Sequence, residues 1–476
     1  MTDLGASLQE VLTTIKQDHD HYSKIDLLFD RRNPLEVPTI VSLPQNGLRL
    51  RFDGADQRLR LIEIVDFKKT NLVYKSSELV KVSDTTAGPS FRRIYQIFGA
   101  TYPGEYHPPQ NGSLLGQYVL SWTGVAFTFP FEHSAWSSDK DHVSLLGSSA
   151  ASPASSMALF EGSSWPDVRK DLFVRTPIGP RLSPLASKSR DSLPSELELA
   201  KIQGEGKVLF QRRSPASSFS IVLNETTPQD LISELGPPDA THKRDASSVI
   251  GDQPMHKRAN SSSNPLTNGR AGIGSQPSSY SSTGTDTFDV DFDSGDAEED
   301  SLERASRETF WCYFNHGMDI LVGPPSQNSH KSRPESSRTH LSSSPHLVVT
   351  KIIIHGNVPG SYAFNRHRRL RWQIVLPNTE YAGDLTSETT FDSLNSALMH
   401  IFQNVWPKSE MGKGKVVNRT WGAGPNDSTF FLPDANEDLV EGGGSEQWLG
   451  NTRLYTFPGL VFEVLENGAV SAVTVY

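Results

Sequence analysis

The chain has 476 residues, of which 36% are hydrophobic, and its formal net charge is −10. This length predicts about three domains, and the low hydrophobic content predicts that part of the chain lies outside any core. The negative charge argues against general nucleic-acid binding, because neutralising phosphates requires a basic face.

The single cysteine, Cys312, excludes an intrachain disulfide and a cysteine-based metal cluster. A reducing compartment is therefore expected. The first residues lack the apolar segment of a secretory signal, and no run approaches the roughly 18 apolar residues that span a bilayer. We therefore expect a soluble, cytoplasmic protein.

Four amphipathic helices are predicted from apolar residues spaced i, i+3 and i+4. Ser7, Ser90 and Thr227 are the predicted N-caps of the first three, and Gly236 ends the third. The apolar stripes are Leu8, Val11, Leu12 and Ile15; Phe91, Ile94, Tyr95 and Phe98; Leu231, Ile232 and Leu235; and Phe391, Leu394, Leu398, Ile401, Phe402 and Val405.

A glycine followed by two short apolar runs recurs after these helices. The clearest copy follows Gly459, where Asn467 and Gly468 separate the two runs. This pair predicts a type I′ hairpin turn, because Asn and Gly tolerate the positive φ that both central positions require. Similar patterns follow Gly47, Gly124 and Gly317, and the copy after Gly124 predicts its last strand near 157–160.

A unit of one helix and a three-stranded meander cannot bury its own apolar faces, so copies must pack on one another. We predict an α+β fold of tandem helix-plus-antiparallel-meander units with long disordered insertions. The predicted segments are 1–131, the first pair of units; 132–206, a Ser/Pro-rich and partly ordered connection; 207–238, the start of the third unit; 239–308, a disordered insertion; 309–376, the rest of the third unit with a loop at 326–346; and 377–476, the fourth unit with a Gly-rich loop at 412–444.

Apparent chemical motifs lack the residues that their chemistry needs. Gly204 and Gly206 precede Lys207 as in a phosphate loop, but Val208 stands where Ser or Thr belongs. The acidic run around Asp289 resembles a calcium loop, although its glycine comes one position late. We therefore predict no catalytic residue, no metal and no cofactor. His316, His355 and His367 lie in or beside predicted strands and are expected to be structural.

A basic cluster precedes the predicted strand that contains Trp372. Arg366, Arg368, Arg369 and Arg371 are predicted, together with Trp372, to contact phosphate groups of a lipid headgroup or an acidic partner loop. The alternative is a charged sheet edge that resists pairing with other strands. Because stable anchoring takes two signals, the isolated protein is expected to bind liposomes weakly.

Three serines precede proline in segments with few apolar residues. These are Ser183, Ser214 and Ser344, and phosphorylation there would add close to two negative charges in accessible chain. The alternative is that the pairs arise from composition alone. We predict that the three serines are phosphorylation sites.

Most of the patterned sequence resembles one known family. The matching stretches are GLRLRFD at 47–53, QRLRLIE at 57–63, IFGATYPGEY at 97–106, YFNHGMDIL at 313–321, KIIIH at 351–355, PGSYAFN at 359–365, GLVFEV at 459–464 and AVTVY at 472–476. They resemble the phagophore (phagosome) assembly factor 1 family, formerly the uncharacterised protein family 0183. The segments near 134–200, 239–308 and 326–346 are not covered by the resemblance.

The resemblance implies a non-enzymatic scaffold or adaptor that regulates autophagy. It implies a WD40-propeller partner resembling breast carcinoma amplified sequence 3, and recruitment from the cytoplasm to the preautophagosomal structure. Membrane contact would be mainly indirect, with no nucleic acid and no small-molecule substrate. The alternatives are a phosphoinositide-binding trafficking factor of the Golgi or endosomes, and an enzyme whose site is assembled from separated residues, for which no motif is present.

Overall fold

The computed structural model describes residues 3–80, 88–109, 113–174, 196–213, 217–243, 307–325, 346–376, 385–404, 414–418 and 451–476. The chain divides into two compact units. Unit 1 comprises Met1–Val222, Phe314–Met318 and Ile353–Tyr476, and unit 2 comprises Leu223–Tyr313 and Asp319–Ile352. Ser183, Ser214 and Ser344 lie outside the described residues, as do most of 239–308, 326–346 and 412–444.

Six α-helices are present in the described ranges. They are α1 (Leu8–Gln17), α2 (Phe91–Phe98), α3 (His142–Leu146), α4 (Trp165–Val168), α5 (Pro228–Leu235) and α6 (Phe391–Phe402). A 3-10 turn covers His133–Ala135. Among these residues no helix combines the length and the apolar character that crossing a bilayer requires.

The strands are β1 (Asp26–Leu28), β2 (Thr39–Leu43), β3 (Leu48–Phe52), β4 (Leu59–Ile64), β5 (Val73–Tyr74), β6 (Ser77–Glu78), β7 (Glu105–His107), β8 (Leu115–Trp122), β9 (Val125–Glu132), β10 (Ser156–Phe160), β11 (Leu197–Gly204), β12 (Lys207–Arg212), β13 (Ser218–Val222), β14 (Ala240–Lys243), β15 (Thr309–Tyr313), β16 (Met318–Gly323), β17 (Val348–His355), β18 (Arg371–Ile374), β19 (Leu385–Thr386), β20 (Lys415–Asn418), β21 (Asn451–Phe457), β22 (Leu460–Leu465) and β23 (Val470–Val475). The fold is therefore α+β.

Unit 1 contains an eight-stranded antiparallel sheet of order β1-β2-β3-β4-β10-β9-β8-β7. It also contains the antiparallel series β23-β22-β21-β20 and a five-stranded sheet of order β13-β12-β11-β18-β19. Within the five-stranded sheet, β11 and β18 run parallel. Unit 2 contains α5 and the greater part of β14 to β17, which are neighbours in that order.

The predicted helices and their caps are present. The Ser7 hydroxyl accepts a hydrogen bond from the Glu10 amide, and Thr227 forms a capping box with Asp230. Most of the described residues in their apolar stripes are buried, as expected for amphipathic helices, although Ile232 is 43% exposed. The strand predicted near 157–160 is β10, which lies between β4 and β9.

Three sequence predictions missed strands that the structure contains. The meanders have four strands, because β1, β7, β14 and β20 each precede the three that were predicted. β14 lies inside the range 239–308 that was predicted to be disordered, and β20 lies inside the loop predicted at 412–444. Both are four-residue strands whose partners lie far along the chain, so their short sequences carry little periodic signal.

The hairpin between β22 and β23 differs from the predicted type I′ turn. Gly468 has a φ of 79°, but Asn467 does not have a positive φ. The Gly468 amide donates to the Leu465 carbonyl at 3.0 Å, and the Asn467 side chain accepts from the Ala469 amide at 3.0 Å. The loop thus resembles the longer hairpin connection in which only the glycine adopts the left-handed conformation.

The five-stranded sheet was only partly predicted. β11 lies in the segment 132–206 that was predicted to be a partly ordered connection, and the glycines compared with a phosphate loop form the β11–β12 hairpin turn. Gly204 and Gly206 have φ values of 85° and 71°, which glycine adopts without steric cost. On one face of this sheet Trp372 packs on Phe462 of β22, with ring centroids 5.9 Å apart.

Candidate functional site: a buried arginine cluster

The basic segment singled out by the sequence lies between β17 and β18, within unit 1. Arg366 is exposed and Arg371 is partly buried, whereas Arg368 and Arg369 are each 4% exposed and Trp372 is fully buried. The prediction that these side chains jointly contact an external phosphate is therefore wrong for Arg368, Arg369 and Trp372. The sheet-edge alternative is wrong as well, because β18 has β11 on one side and β19 on the other.

Arg369 is held by backbone carbonyls and by one carboxylate. Its Nε donates to the Ala55 carbonyl at 2.6 Å, and its Nη1 donates to the Gly356 carbonyl at 2.7 Å. Its Nη2 lies 3.0 Å from Glu388 Oε1. These bonds engage all three nitrogens of the guanidinium inside the protein.

Glu388 also accepts from Arg371, whose Nε lies 2.8 Å away. Burial alone would raise the pKa of the Glu388 carboxyl, but the two arginines outweigh burial and lower this pKa to about 2. Arg371 Nη1 also reaches Asp56 Oδ1 at 3.2 Å. Glu388 is therefore ionised at neutral pH and bound to two cations.

Arg368 is also buried. It pairs with Glu196, which also accepts from Arg58 Nη2 at 2.7 Å, and it donates to the Leu197 carbonyl. Burial lowers the pKa of the Arg368 guanidinium well below its ordinary value, and the neighbouring Arg58 acts in the same direction. Two buried guanidinium groups thus share one carboxylate at the start of β11.

The turn between β3 and β4 supplies most of the remaining charges. Asp53 is 1% exposed and accepts from Arg60 Nε at 2.5 Å and from the Asp56 amide at 2.6 Å. Burial raises the pKa of Asp53, although Arg60 opposes this effect. Arg213 Nη2 lies 3.1 Å from Glu198 Oε1.

We call this group the arginine cluster. It consists of Arg58, Arg60, Arg213, Arg368, Arg369 and Arg371 with Asp53, Asp56, Glu196, Glu198 and Glu388. The cluster joins the β3–β4 turn, the start of β11, the segment before β18 and the residues before α6. Its arginines face carboxylates of the same chain, so the arrangement is suited to holding these segments together rather than to acid–base chemistry.

A buried pair of amides lies beside the cluster. Gln57 Nε2 donates to the Asn357 carbonyl at 2.8 Å, and Asn357 Nδ2 donates to Gln57 Oε1 at 2.8 Å. Both residues have positive φ values, 53° and 46°. The reciprocal pairing gives hydrogen bonds to buried polar atoms that would otherwise destabilise the folded state.

Two of the histidines that were expected to be structural, His355 and His367, lie together in unit 1. His367 is 2% exposed, and its ring lies 5.0 Å from the Phe314 ring. The His355 and His367 rings are stacked with their centroids 3.9 Å apart.

A cleft of about 530 Å³ lies between the start of α6 and strands β20 to β22. Its lining includes the aromatic rings of Phe391 and Tyr455, and charged groups of both signs on Asp392, Arg453 and Glu466. This mixed lining favours no single class of ligand.

The sequence contained a signal for the cluster that was not used. Asp53 and Asp56 are followed closely by Arg58 and Arg60, and such a density of charge beside an apolar strand indicates paired ions. The pairing of Arg58 with Glu196 and of Asp56 with Arg371 could not be assigned, because these partners lie more than a hundred residues away in the chain.

Comparison with known proteins places the chain in a family. The family model described as Phagosome assembly factor 1 matches residues 2–266 and 293–476. PHAF1 proteins of Drosophila melanogaster and Arabidopsis thaliana are each 22% identical over 99% of this chain, covering 90% and 89% of their own lengths. A PHAF1 protein of Caenorhabditis elegans is 30% identical over 27% of this chain and 28% of its own length.

No solved structure matches the chain significantly. The family model nevertheless covers both units, and it includes the sequence that forms the arginine cluster. This chain therefore belongs to the phagosome assembly factor 1 family.

Proposed function

We propose that the protein is a non-enzymatic scaffold or adaptor that regulates autophagosome formation. The observation that supports this proposal most strongly is the family match over nearly the whole chain, because the family is described by an assembly role. The frame of the scaffold would be four tandem helix-plus-meander units packed on one another. Its interaction surfaces would then be carried by strand edges and by the segments that separate these units.

In this proposal a WD40-propeller protein resembling breast carcinoma amplified sequence 3 recruits the chain from the cytoplasm to the preautophagosomal structure. The burial of the arginine cluster supports indirect membrane contact. Arg368 and Arg369 are already bound to carboxylates and carbonyls, so only Arg366 of the predicted phosphate contacts is well exposed. One surface arginine contributes about 1 kcal/mol near an anionic membrane, which is too little for attachment.

The test is co-sedimentation with liposomes that contain phosphatidylinositol 3-phosphate, with and without the propeller partner. We expect the chain to remain in the supernatant alone and to pellet with the partner. The matched control is Arg366→Ser, because this side chain is exposed and its loss should not unfold the protein. Replacing Arg368 or Arg369 would be uninformative, since each loses buried ion pairs.

The competing function is a phosphoinositide-binding trafficking factor of the Golgi or endosomes. Strong pelleting of the chain alone that Arg366→Ser abolishes would favour that function over the adaptor. Affinity purification of the tagged chain followed by mass spectrometry provides an independent measurement. Recovery without a propeller protein, from fed and starved cells alike, would contradict the proposed partner.

A further inference from the structure

Strand β13 forms an outer edge of the five-stranded sheet in unit 1. Exposed sheet edges usually carry charges, or are very short, because open backbone groups invite pairing with other chains. Among the sheet edges in the described residues, β1, β7, β14 and β20 carry Asp26, Glu105, Lys243 and Lys415 respectively, and β5, β6 and β19 have only two residues each. β13 has five residues and no titratable side chain.

The direction of the hydrogen bonds along β13 follows from the neighbouring hairpin. The Arg212 amide donates to the Ser217 carbonyl at 2.8 Å, so Arg212 faces β13. Successive residues of a strand point their backbone groups to opposite sides, so the backbone amides and carbonyls of Phe210 and Val208 also point towards β13.

The residues opposite these two on β13 are Phe219 and Ile221. These two therefore bond to β12, and the amide and carbonyl of Ser220 between them point away from the sheet. Pairing between β12 and β13 shows no register shift, so no bulge disturbs this alternation. Ser218 and Ser220 have exposed side chains.

The side chains of β13 divide the strand into an apolar and a hydroxyl face. Ile221 is buried, and the Phe219 ring is half-buried against the Phe210 ring, with centroids 5.3 Å apart. The guanidinium of Arg212 lies 4.6 Å from the Phe219 ring centre. The apolar face of the sheet thus ends at Phe219 and Ile221 with part of the aromatic ring uncovered.

We propose that β13 is an interface at which a second copy of the chain adds its own β13, antiparallel, about a twofold axis through Ser220. This register places Ser220 opposite Ser220 and Phe219 opposite Ile221. The two Ser220 residues exchange backbone hydrogen bonds, and an aromatic ring meets a β-branched side chain, which is a favourable cross-strand pair.

A second copy is favoured over a charged partner because β13 itself carries no ionic group, and the nearby Arg212 of β12 lies against the Phe219 ring. Self-pairing of a charged strand would place like charges opposite each other, but β13 carries none. A twofold contact also uses the same surface on both copies, as most soluble homodimers do. The pairing would extend the apolar face of the sheet from one copy into the other.

Cysteine cross-linking tests the register. The one native thiol, Cys312, is buried, so it contributes little background. In a hydrogen-bonded antiparallel pair the two Cα atoms lie about 5.5 Å apart, which suits a disulfide. We expect Ser220→Cys to give a covalent dimer under mild oxidation, while Val416→Cys on the edge strand β20, a side chain 56% exposed, should not. A failure of Ser220→Cys to cross-link more than Val416→Cys would overturn the proposal.

Sedimentation velocity tests the dimer itself. We expect the unmodified chain to dimerise and Ser220→Pro to be monomeric, because proline removes the outward amide while the bonds of Phe219 and Ile221 to β12 remain. Circular dichroism and the thermal midpoint report whether the variant is folded, and Ser220→Lys serves as a second variant that places like charges opposite each other. A monomeric unmodified chain at its highest soluble concentration, or a dimer that persists in both folded variants, would refute the interface.

Discussion

Replacement of Gly459 should reveal how much the backbone conformation of this residue matters for the stability of the β21–β22 hairpin. Gly459 has a φ of 74°, and a Cβ atom built there would meet only the Tyr476 carbonyl oxygen, at an ordinary distance of 3.6 Å. The cost of Gly459→Ala is therefore that of the left-handed conformation, about 1–2 kcal/mol. Gly459→Val should cost more, up to roughly 3 kcal/mol, because its branched Cβ restricts the side chain further.

Two other glycines separate backbone strain from steric overlap. Gly468 has a φ of 79° and no atom within 4 Å of the added Cβ, so Gly468→Ala measures strain alone. Gly317 has a φ of 76°, but its Cβ would lie 2.4 Å from the Arg368 carbonyl oxygen. Backbone must move to accommodate that atom, so Gly317→Ala should cost roughly 3 kcal/mol or more.

Urea denaturation followed by tryptophan fluorescence and circular dichroism measures these differences. We expect Gly468→Ala and Gly459→Ala to lower the midpoint by similar amounts, and Gly317→Ala to lower it further. Gly459→Asn should be milder than Gly459→Ala, since Asn tolerates positive φ. An unchanged midpoint for Gly459→Val, or equal midpoints for Gly317→Ala and Gly468→Ala, would refute the reasoning.

Three further predictions concern charge, insertion and modification. Because the folded pKa of Glu388 is about 2 against an ordinary 4.5, the ionised carboxylate contributes fully to stability above pH 4.5, and this contribution disappears as the pH falls towards 2. Glu388→Gln should therefore lower the free energy of unfolding by roughly 3–5 kcal/mol at pH 7. A difference in stability between variant and parent that stays the same in acid would contradict this. Replacing residues 267–292, which the family model does not match, with a short Gly-Ser linker should leave the thermal midpoint within a few degrees, because the segment is rich in polar residues and has few apolar ones. A loss of cooperative unfolding would argue otherwise. Phosphopeptide mapping from starved and fed cells should detect Ser183, Ser214 or Ser344, and finding none modified would count against regulation there.

The helices could be predicted from the sequence because their signals are local. Ser7 lies three residues from Glu10 and Thr227 lies next to Pro228, so each cap is complete within a few residues. The recurrent glycines were recognised for the same reason, and Gly47, Gly124, Gly317 and Gly459 all have positive φ values. Local sequence therefore predicted the elements and several of their boundaries.

The arginine cluster could not be predicted because its contacts are distant in the chain. Arg371 meets Asp56, which is 315 residues away, and the parallel pairing of β11 with β18 brings the segment around Arg368 to Glu196. A run of arginines followed by Trp372 has the same sequence whether it faces solvent or carboxylates. Only tertiary structure distinguishes the two, and here it buries most of the run.

The distance between Asp56 and Arg371 has a consequence during synthesis. A ribosome that adds roughly 5–20 residues per second needs about 15 to 60 seconds to make the 315 residues between them. Throughout that interval the β3–β4 turn has emerged without Arg369 and Arg371, which later bind it, although Glu196 and Arg213 are made earlier. A nascent chain in this state should engage chaperones, and a stop codon before Glu388 should destabilise the amino-terminal sheet as well as remove the carboxyl-terminal one.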